Sequence, residues 1–457
     1  MRKNIFSIIS IFLIIFVAMS SFAFTANGAK VNSSQQTNTF DNLDYGCPVD
    51  TKSDTVLLVN LDTGVTVYSK EADTKRYPAS LTKIMTYIVV ADHIENLNTK
   101  IKIKESALKS LEGTGSSLSA VYDNIGKSMT VKQLLQCLMI SSGNDAALVL
   151  ADYVGGDKSV KGFVKMMNEK AEELGCENTH FVNPHGLHNK NHYTTARDMY
   201  KIANYALSLP QFSDITNSVG YTIGDTYYST TNFLIDSTSG DYYYQYAKGV
   251  KTGTTDEAGR CLVTTAVADG YSYIAILMHA PYNEAEGITE YYTMTDAAEL
   301  FRWALTSITL RQVVTRETPV CEEKVDLSWD KSSIQLSAEE DFSVLLPDTI
   351  KDEDITIETD VPSSIVAPIN EGDYVGTATV YYEGKEVSSF NLVADESVER
   401  SGLLYTLDLI KNVFTSVYFI VAALVVVVLF ALYLVVVVKH NKNKKRNRKQ
   451  VKHYRHM

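Results

Sequence analysis

The feature that most restricts the fold is an uncharged apolar run near the C-terminus. Val413–Val438 is 26 residues without a charged side chain, long enough for one helix to cross the hydrocarbon core of a bilayer. Lys439–Met457 follows with nine Lys and Arg residues and no acid. Because positive residues flank membrane helices on the cytoplasmic side, the sequence predicts a transmembrane helix over 413–438 and a cytoplasmic tail over 439–457. The bulk of the chain is then extracytoplasmic, anchored in the membrane by this helix.

The N-terminus has the pattern of a secretory signal. Arg2 and Lys3 precede the apolar stretch Ile5–Val17, and the small residues Ser21 and Ala23 offer a cleavage site. We expect a signal peptide over residues 1–29, with an uncleaved membrane anchor as the alternative. The polar residues 30–48 are expected to form a flexible spacer.

The charge of the central region excludes one class of partner. Residues 30–438 hold 31 basic and 54 acidic side chains, a net charge of -23. Such a surface repels phosphates, so no nucleic-acid partner is expected. The chain has five widely scattered cysteines, which matches neither a disulfide framework nor zinc-ligand spacing.

The pattern of turns and apolar residues predicts an α+β domain over residues 49–315. Short apolar runs flank the turn Asp62–Gly64 and the dipeptide Asp269-Gly270, which indicates an early and a late hairpin. Between them, Thr130 and Gln133 form a capping-box pattern before one helical segment, and helical spacing recurs over Lys161–Leu174 and Thr195–Leu207. We therefore expect an antiparallel sheet flanked by helices. Alternating β-branched residues then predict a small all-β domain over 316–396 and a juxtamembrane linker over 397–412.

Ser80-Leu81-Thr82-Lys83 is the first candidate for chemistry. Pro78 favours the first turn of a helix here, and residues three apart on a helix are neighbours. A serine hydroxyl becomes an effective nucleophile when a base removes its proton. Lys83 can be that base when burial and a nearby positive charge keep its amine neutral.

Two further motifs follow in order along the chain. Ser142-Gly143-Asn144 lies in a break between two predicted helices, where a hydroxyl and an amide can point into a cleft; an ordinary interhelical turn is the alternative. Lys251-Thr252-Gly253 precedes the late hairpin. Its cation and hydroxyl can bind a carboxylate, and its glycine allows close approach of a substrate backbone. A plain exposed strand is the alternative for this segment.

Taken together, the three motifs resemble the signature of penicillin-binding proteins and serine β-lactamases. The residues around them are similar to the low-molecular-mass serine D-Ala-D-Ala carboxypeptidases: Tyr77–Thr86, Ser141–Ala147, Asn183–Leu187, Gly249–Thr255 and Ala258–Leu262. The resemblance implies a β-lactamase/penicillin-binding-protein-like domain that removes the terminal D-alanine from peptidoglycan stem peptides and is acylated by β-lactam antibiotics. It is weaker over the all-β domain.

The resemblance also assigns roles to individual residues. Ser80 would be the nucleophile, Lys83 its general base and Ser142 a proton carrier. The residues implied in substrate binding are Asn144, Lys251, Thr252, Gly253 and Thr254. The oxyanion hole would be formed by the backbone amides of Ser80 and Thr254. No metal or other cofactor is expected, although His185, His188 and His192 lie close together in the sequence.

Three rival functions remain open at this point. A class A β-lactamase shares the motifs but typically adds Glu-x-x-Leu-Asn between the second and the third, and this chain has no such segment there. A β-lactam receptor that signals across the membrane would need more than a 19-residue basic tail. A wall-binding protein without catalysis would not need the complete set of motif residues. A full membrane span also departs from the amphipathic surface helix that often ends members of this family.

Overall fold

The computed structural model describes residues 45–453. The predicted signal peptide and most of the predicted spacer lie outside the described residues. Within them, the predicted α+β domain, the small β domain and one apolar C-terminal helix are confirmed.

The first domain is built on a five-stranded antiparallel sheet of order β2-β1-β9-β8-β7. The strands in this part of the chain are β1 (Thr55–Asn60), β2 (Thr66–Lys70), β3 (Lys100–Lys102), β4 (Ser128–Thr130), β5 (Gly220–Ile223), β6 (Thr226–Ser229), β7 (Ala247–Thr255), β8 (Gly259–Ala268) and β9 (Tyr271–Ala280). Both predicted hairpins are present, β1–β2 and β8–β9. They join at the centre of the sheet, where Thr55 pairs with Met278.

Helices cover both faces of this sheet. They are α1 (Thr82–His93), α2 (Glu105–Leu108), α3 (Val131–Met139), α4 (Asn144–Val154), α5 (Ser159–Glu173), α6 (Ala196–Leu207), α7 (Phe212–Thr216) and α8 (Tyr292–Ser307). The larger core includes α1 and the helices α3 to α6 on one face, while α8 packs on the other face. The capping box at the start of α3 is formed: Gln133 N donates to Thr130 Oγ1 over 3.2 Å, and Thr130 N donates to Gln133 Oε1 over 2.9 Å.

The second domain is made of strands. They are β10 (Ile308–Val314), β11 (Pro319–Asp326), β12 (Ser333–Ala338), β13 (Phe342–Pro347), β14 (Ile355–Asp360), β15 (Ile365–Val366), β16 (Tyr374–Tyr382) and β17 (Lys385–Ala394). Six of them form a sheet of order β14-β16-β17-β12-β11-β15, and β10 pairs with β13. A separate apolar core fills this domain.

The two domains are joined through a shared contact. Leu345 on β13 is buried in the core that α8 forms with the first domain's sheet. The Tyr45 hydroxyl donates to the backbone oxygen of Leu345 over 3.2 Å. The β domain therefore contributes a side chain to the core of its neighbour.

Two helices end the described chain, α9 (Gly402–Thr415) and α10 (Val417–His453). Val417–Asn443 in α10 is long and apolar enough to cross a membrane. The extended backbone of Ser416 separates the two helices, so the apolar run that begins at Val413 is divided between them. Most of the predicted linker over 397–412 is helical.

Candidate active site

The three sequence motifs meet at one cleft of about 400 Å³ on the sheet's β7 edge. Its lining includes five of the eight predicted site residues, Ser80, Ser142, Thr252, Gly253 and Thr254. Lys83, Asn144 and Lys251 are buried and are not among the lining residues. Another cavity, of about 330 Å³ in the β domain, is lined without an ionisable side chain. Among the described residues that line it, this second cavity therefore offers no side chain for acid–base chemistry, whereas the first contains Ser80 next to the Lys83 amine.

Ser80 lies in a tight 3₁₀ turn, Ala79–Leu81, directly before α1. Ala79 has a φ of +47°, a conformation that costs a non-glycine residue about 1–3 kcal/mol and needs support from its surroundings. Part of that support comes from Thr82, whose hydroxyl donates to Ala79 O over 2.8 Å. The turn holds the Ser80 side chain half-buried at the cleft.

Lys83 has no exposed surface, and its amine has three neighbours. Nζ lies 2.8 Å from Ser80 Oγ, 2.6 Å from Asn144 Oδ1 and 2.7 Å from His185 O. The last two are acceptors only, so a neutral amine donates its two N–H groups to them. Its lone pair is then left for the Ser80 hydroxyl.

The electrostatic surroundings favour that neutral form. Burial, and then the positive charge of Lys251, hold the pKa of Lys83 well below its ordinary value, while Asp145 acts in the opposite direction. A charged amine without water is costly. The buried lysine is therefore suited to accept a proton from Ser80.

The second motif is stabilised by hydrogen bonds to the neighbouring Asp145, a role that the sequence did not indicate. Asp145 accepts hydrogen bonds from Ser119 N over 2.8 Å, Ser119 Oγ over 2.8 Å and Tyr122 N over 3.1 Å. These bonds tie the segment before β4 to the start of α4. Ser142 has a φ of +60° and Asn144 is the first residue of α4. The loop thus presents a hydroxyl to the cleft and an amide to Lys83.

The third motif lies on β7, which passes close to the serine turn. A Cβ added to Gly253 would lie 3.0 Å from Pro78 O and 3.1 Å from Ser80 N, so glycine permits this approach. Thr252 Oγ1 is 2.5 Å from Thr231 Oγ1, and both hydroxyls line the cleft. The Thr254 side chain is exposed at its rim.

Lys251 is placed differently from its motif neighbours. It is 1% exposed, and its Nζ donates to Thr252 O over 2.8 Å. Burial lowers its pKa to about 7. Its effect on the cleft is therefore electrostatic, through Lys83.

The histidine segment supports the site through a chain of hydrogen bonds. Val182 N donates to His192 Nδ1 over 3.1 Å, so Nε2 carries the proton and donates to Thr82 Oγ1 over 2.7 Å. Burial lowers the pKa of His192 to about 3, and burial and then Lys83 lower the pKa of His185 to about 3. Both rings are neutral near pH 7. Of the two, only His185 lies in the family-like segment Asn183–Leu187, and the sequence carried no signal for the structural role of His192.

A half-buried serine beside a buried lysine amine, on a helix-covered antiparallel sheet, defines the class of serine hydrolases that use lysine in place of histidine. The D-alanyl-D-alanine carboxypeptidase family model matches residues 42–282, and the model of the penicillin-binding protein 5 C-terminal domain matches residues 309–400. The chain therefore belongs to the D-alanyl-D-alanine carboxypeptidase family and is a serine-type carboxypeptidase of the low-molecular-mass penicillin-binding proteins.

The relatives and the solved structure described next are similar to this chain over about three quarters of its length. D-alanyl-D-alanine carboxypeptidase DacF of Bacillus subtilis strain 168 is 30% identical over 351 residues, covering 76% of this chain and 86% of the relative. DacC of Escherichia coli K12 is 29% identical over 354 residues, covering 76% and 84%. The crystal structure of penicillin binding protein 5 from Haemophilus influenzae is 26% identical, with a TM-score of 0.62, and covers 77% of this chain and 99% of that one.

Proposed function

We propose that the enzyme removes the terminal D-alanine from peptidoglycan stem peptides through an acyl-enzyme on Ser80. Ser80 Oγ attacks the carbonyl carbon of the penultimate D-alanine while Lys83 accepts the hydroxyl proton. The negative charge on the carbonyl oxygen is stabilised by the backbone amides of Ser80 and Thr254. The close approach of Gly253 to Ser80 N, 3.1 Å from the position of an added Cβ, supports this pairing of amides.

Breakdown of this intermediate completes the acylation, and hydrolysis of the acyl-enzyme then uses Lys83 as a base a second time. The C–N bond breaks, and D-alanine leaves after its nitrogen receives a proton from Lys83 through the Ser142 hydroxyl. Water then attacks the ester and gives a proton to Lys83; the bond between the acyl carbon and Ser80 Oγ breaks, and Lys83 returns the proton to Oγ. Asn144 orients the substrate amide, and Thr252 hydrogen-bonds the terminal carboxylate in the positive potential of Lys251. In penicillin the broken C–N bond leaves the amine attached, so it continues to occupy the cleft.

The observation that carries the proposal is the 2.8 Å contact between Lys83 Nζ and Ser80 Oγ, with two acceptors on the other side of the same amine. It gives the serine a base without a histidine. The groups predicted to act together also share one cleft or contact its lining.

The test is release of D-alanine from a diacetylated Lys-D-Ala-D-Ala peptide by the detergent-solubilised chain. We expect turnover in the native protein and none in Ser80→Ala, and labelled penicillin should add to Ser80 in the intact-mass and peptide spectra. Turnover that persists in Ser80→Ala, or a label on another residue, would contradict the proposal. Rapid hydrolysis of the bound penicillin would instead favour the β-lactamase alternative.

The anchoring also belongs to the proposal. We infer that the uncharged part of α10 up to Val438 spans the membrane, with both folded domains outside and the basic residues after Val438 in the cytoplasm. In intact cells, external protease should remove the catalytic domain and leave a C-terminal tag protected. A tag that is digested without permeabilisation would contradict this topology.

A further inference from the structure

We propose that Arg260 binds the C-terminal carboxylate of the substrate's leaving D-alanine and sets the preference for peptides with a free C-terminus. This inference rests on the proposed function and adds a specificity residue to it. Arg260 is on β8, opposite Thr254 of β7 in the antiparallel register. Both side chains line the cleft that contains Ser80.

Arg260 is a buried cation without a protein counter-ion. Its side chain is 8% exposed, and within residues 45–453 no Asp or Glu forms an ion pair with it. The one hydrogen bond of its guanidinium to the described residues runs from Nη2 to Thr289 O over 2.8 Å, and Nε is buried without a partner. A buried, incompletely paired charge is costly. An anion in the cleft would remove that cost.

The surroundings hold the guanidinium in one orientation. The Tyr291 ring lies 3.6 Å and the Tyr282 ring 4.7 Å from its central carbon. These contacts stabilise the faces of a cation and leave its edge for hydrogen bonding. A planar guanidinium edge matches a carboxylate, which it can bind through two parallel N–H groups. Arg260 is therefore prearranged for this ligand.

Lys251 is less suited to contact the same carboxylate directly. It is 1% exposed, does not line the cleft, and its Nζ is bonded to Thr252 O. Thr252 and Thr231 offer hydroxyls at the cleft, but a hydroxyl carries no charge to neutralise an anion. Among the described residues that line the cleft, Arg260 is the one permanent cation.

The experiment compares two substrates that differ only at the C-terminus. We would measure kcat/KM of the detergent-solubilised chain for diacetyl-Lys-D-Ala-D-Ala and for the same peptide as its C-terminal amide. In Arg260→Gln, kcat/KM for the peptide acid should fall by about 10- to 100-fold, the range for loss of a charge-assisted hydrogen bond. It should change little on the amide, because the amide has no charge to pair.

A matched variant separates this role from a general charge or folding effect. Arg302→Gln removes an exposed arginine of the same domain and should leave both substrates unchanged. If Arg260→Gln unfolds, Arg260→Lys is measured instead and should retain part of the preference for the acid. If Arg260→Gln lowers kcat/KM equally for the acid and the amide, Arg260 has a structural role in holding Thr289 and the proposal is overturned. A ratio of kcat/KM for acid over amide that stays at the native value would also overturn it.

A second readout keeps this inference distinct from the hydrolysis reaction. The rates of Ser80 acylation by benzylpenicillin and by its methyl ester should differ in the native chain, and Arg260→Gln should reduce that difference. A native chain that is acylated but releases no D-alanine would contradict the proposed function and leave this comparison decisive. A native chain that is neither acylated nor hydrolytic would overturn both.

Discussion

The role proposed for Lys83 depends on the groups around its amine. Two acceptors, Asn144 Oδ1 and His185 O, hold it from the side opposite Ser80. Lys251 adds a nearby positive charge, and burial removes water from both amines. The same side chain in solvent would be protonated at neutral pH and could not accept the serine proton.

Replacing Lys251 by Met should therefore move the acid limb of the pH profile. Without the neighbouring cation, the pKa of Lys83 rises, so activity should require a higher pH. The measurement is the apparent pKa of the acid limb of penicillin acylation in native and Lys251→Met proteins. Lys248→Met, an exposed lysine on the same strand, is the control and should leave the limb in place. A limb that moves to lower pH in Lys251→Met would contradict this account.

The neutral His192 ring predicts a second pH effect, this time on stability. Its pKa is about 3 when folded and about 6.5 when unfolded, so the unfolded chain binds the extra proton between those values. Stability should fall as the pH drops from about 6.5 towards 3, by about 1.4 kcal/mol per pH unit for this histidine. His192→Gln should be less stable than the native protein at pH 7, and this difference should shrink at pH 4.5.

Urea unfolding at the two pH values measures this difference. The exposed His93 at the end of α1 is not among the groups that shift the pKa of His192, and His93→Gln should follow the native pH dependence. A difference between His192→Gln and native protein that stays constant across this range would show that His192 does not titrate as described.

At the scale of secondary structure, the site depends on close packing of a loop, a turn and a strand. Gly186 has a φ of +91°, and a Cβ there would lie 1.8 Å from Ala79 O. The loop that carries His185 therefore presses against the serine turn. Gly253 performs the same task from β7, so two glycines set the position of Ser80 from opposite segments.

Gly186→Ala should displace the serine turn and reduce penicillin acylation by at least about 10-fold, the effect of a misplaced catalytic group. Gly224→Ala is the matched control, because Gly224 also has a positive φ, of +61°, but has no atom within 4 Å of the added Cβ. It should lose only about 1 kcal/mol of stability and keep its acylation rate. Equal acylation in both variants would contradict the packing role of Gly186.

At the scale of the whole molecule, the β domain is joined to the catalytic domain through a common core. Leu345 is 1% exposed and packs with residues of β8, β9 and α8. The helix α9 follows the β domain in the sequence and exposes four large apolar side chains, Leu403, Leu407, Ile410 and Phe414. The helix that is long and apolar enough to span a membrane begins directly after it.

Leu345→Ala should destabilise the catalytic domain as well as its own, by about 2–5 kcal/mol. The thermal midpoint for loss of labelled-penicillin binding reports the catalytic domain. Val366→Ala, at a 60% exposed position of the β domain, should leave that midpoint within a degree or two, since surface changes cost little. An unchanged midpoint in Leu345→Ala would indicate that the domains unfold independently.

The sequence by itself determined the order of parts and the chemistry that the motifs could perform. Local sequence signals were enough to predict the hairpins, the capping box at Thr130 and the apolar helix before the basic tail. Turn geometry, capping and hydropathy depend on residues that are near neighbours in the chain. The resemblance then singled out Ser80, Lys83, Ser142 and the Lys251 strand.

Only the tertiary structure decided which groups meet. The pairing of Thr55 with Met278 brings the chain's early and late strands together, and with them Arg260 reaches the cleft of Ser80. The same folding places Lys251 beneath the cleft surface, and turns His185 and His192 into supports for the serine turn. Burial, pKa and hydrogen-bond partners depend on contacts between distant residues, and spacing along the sequence carries no record of them.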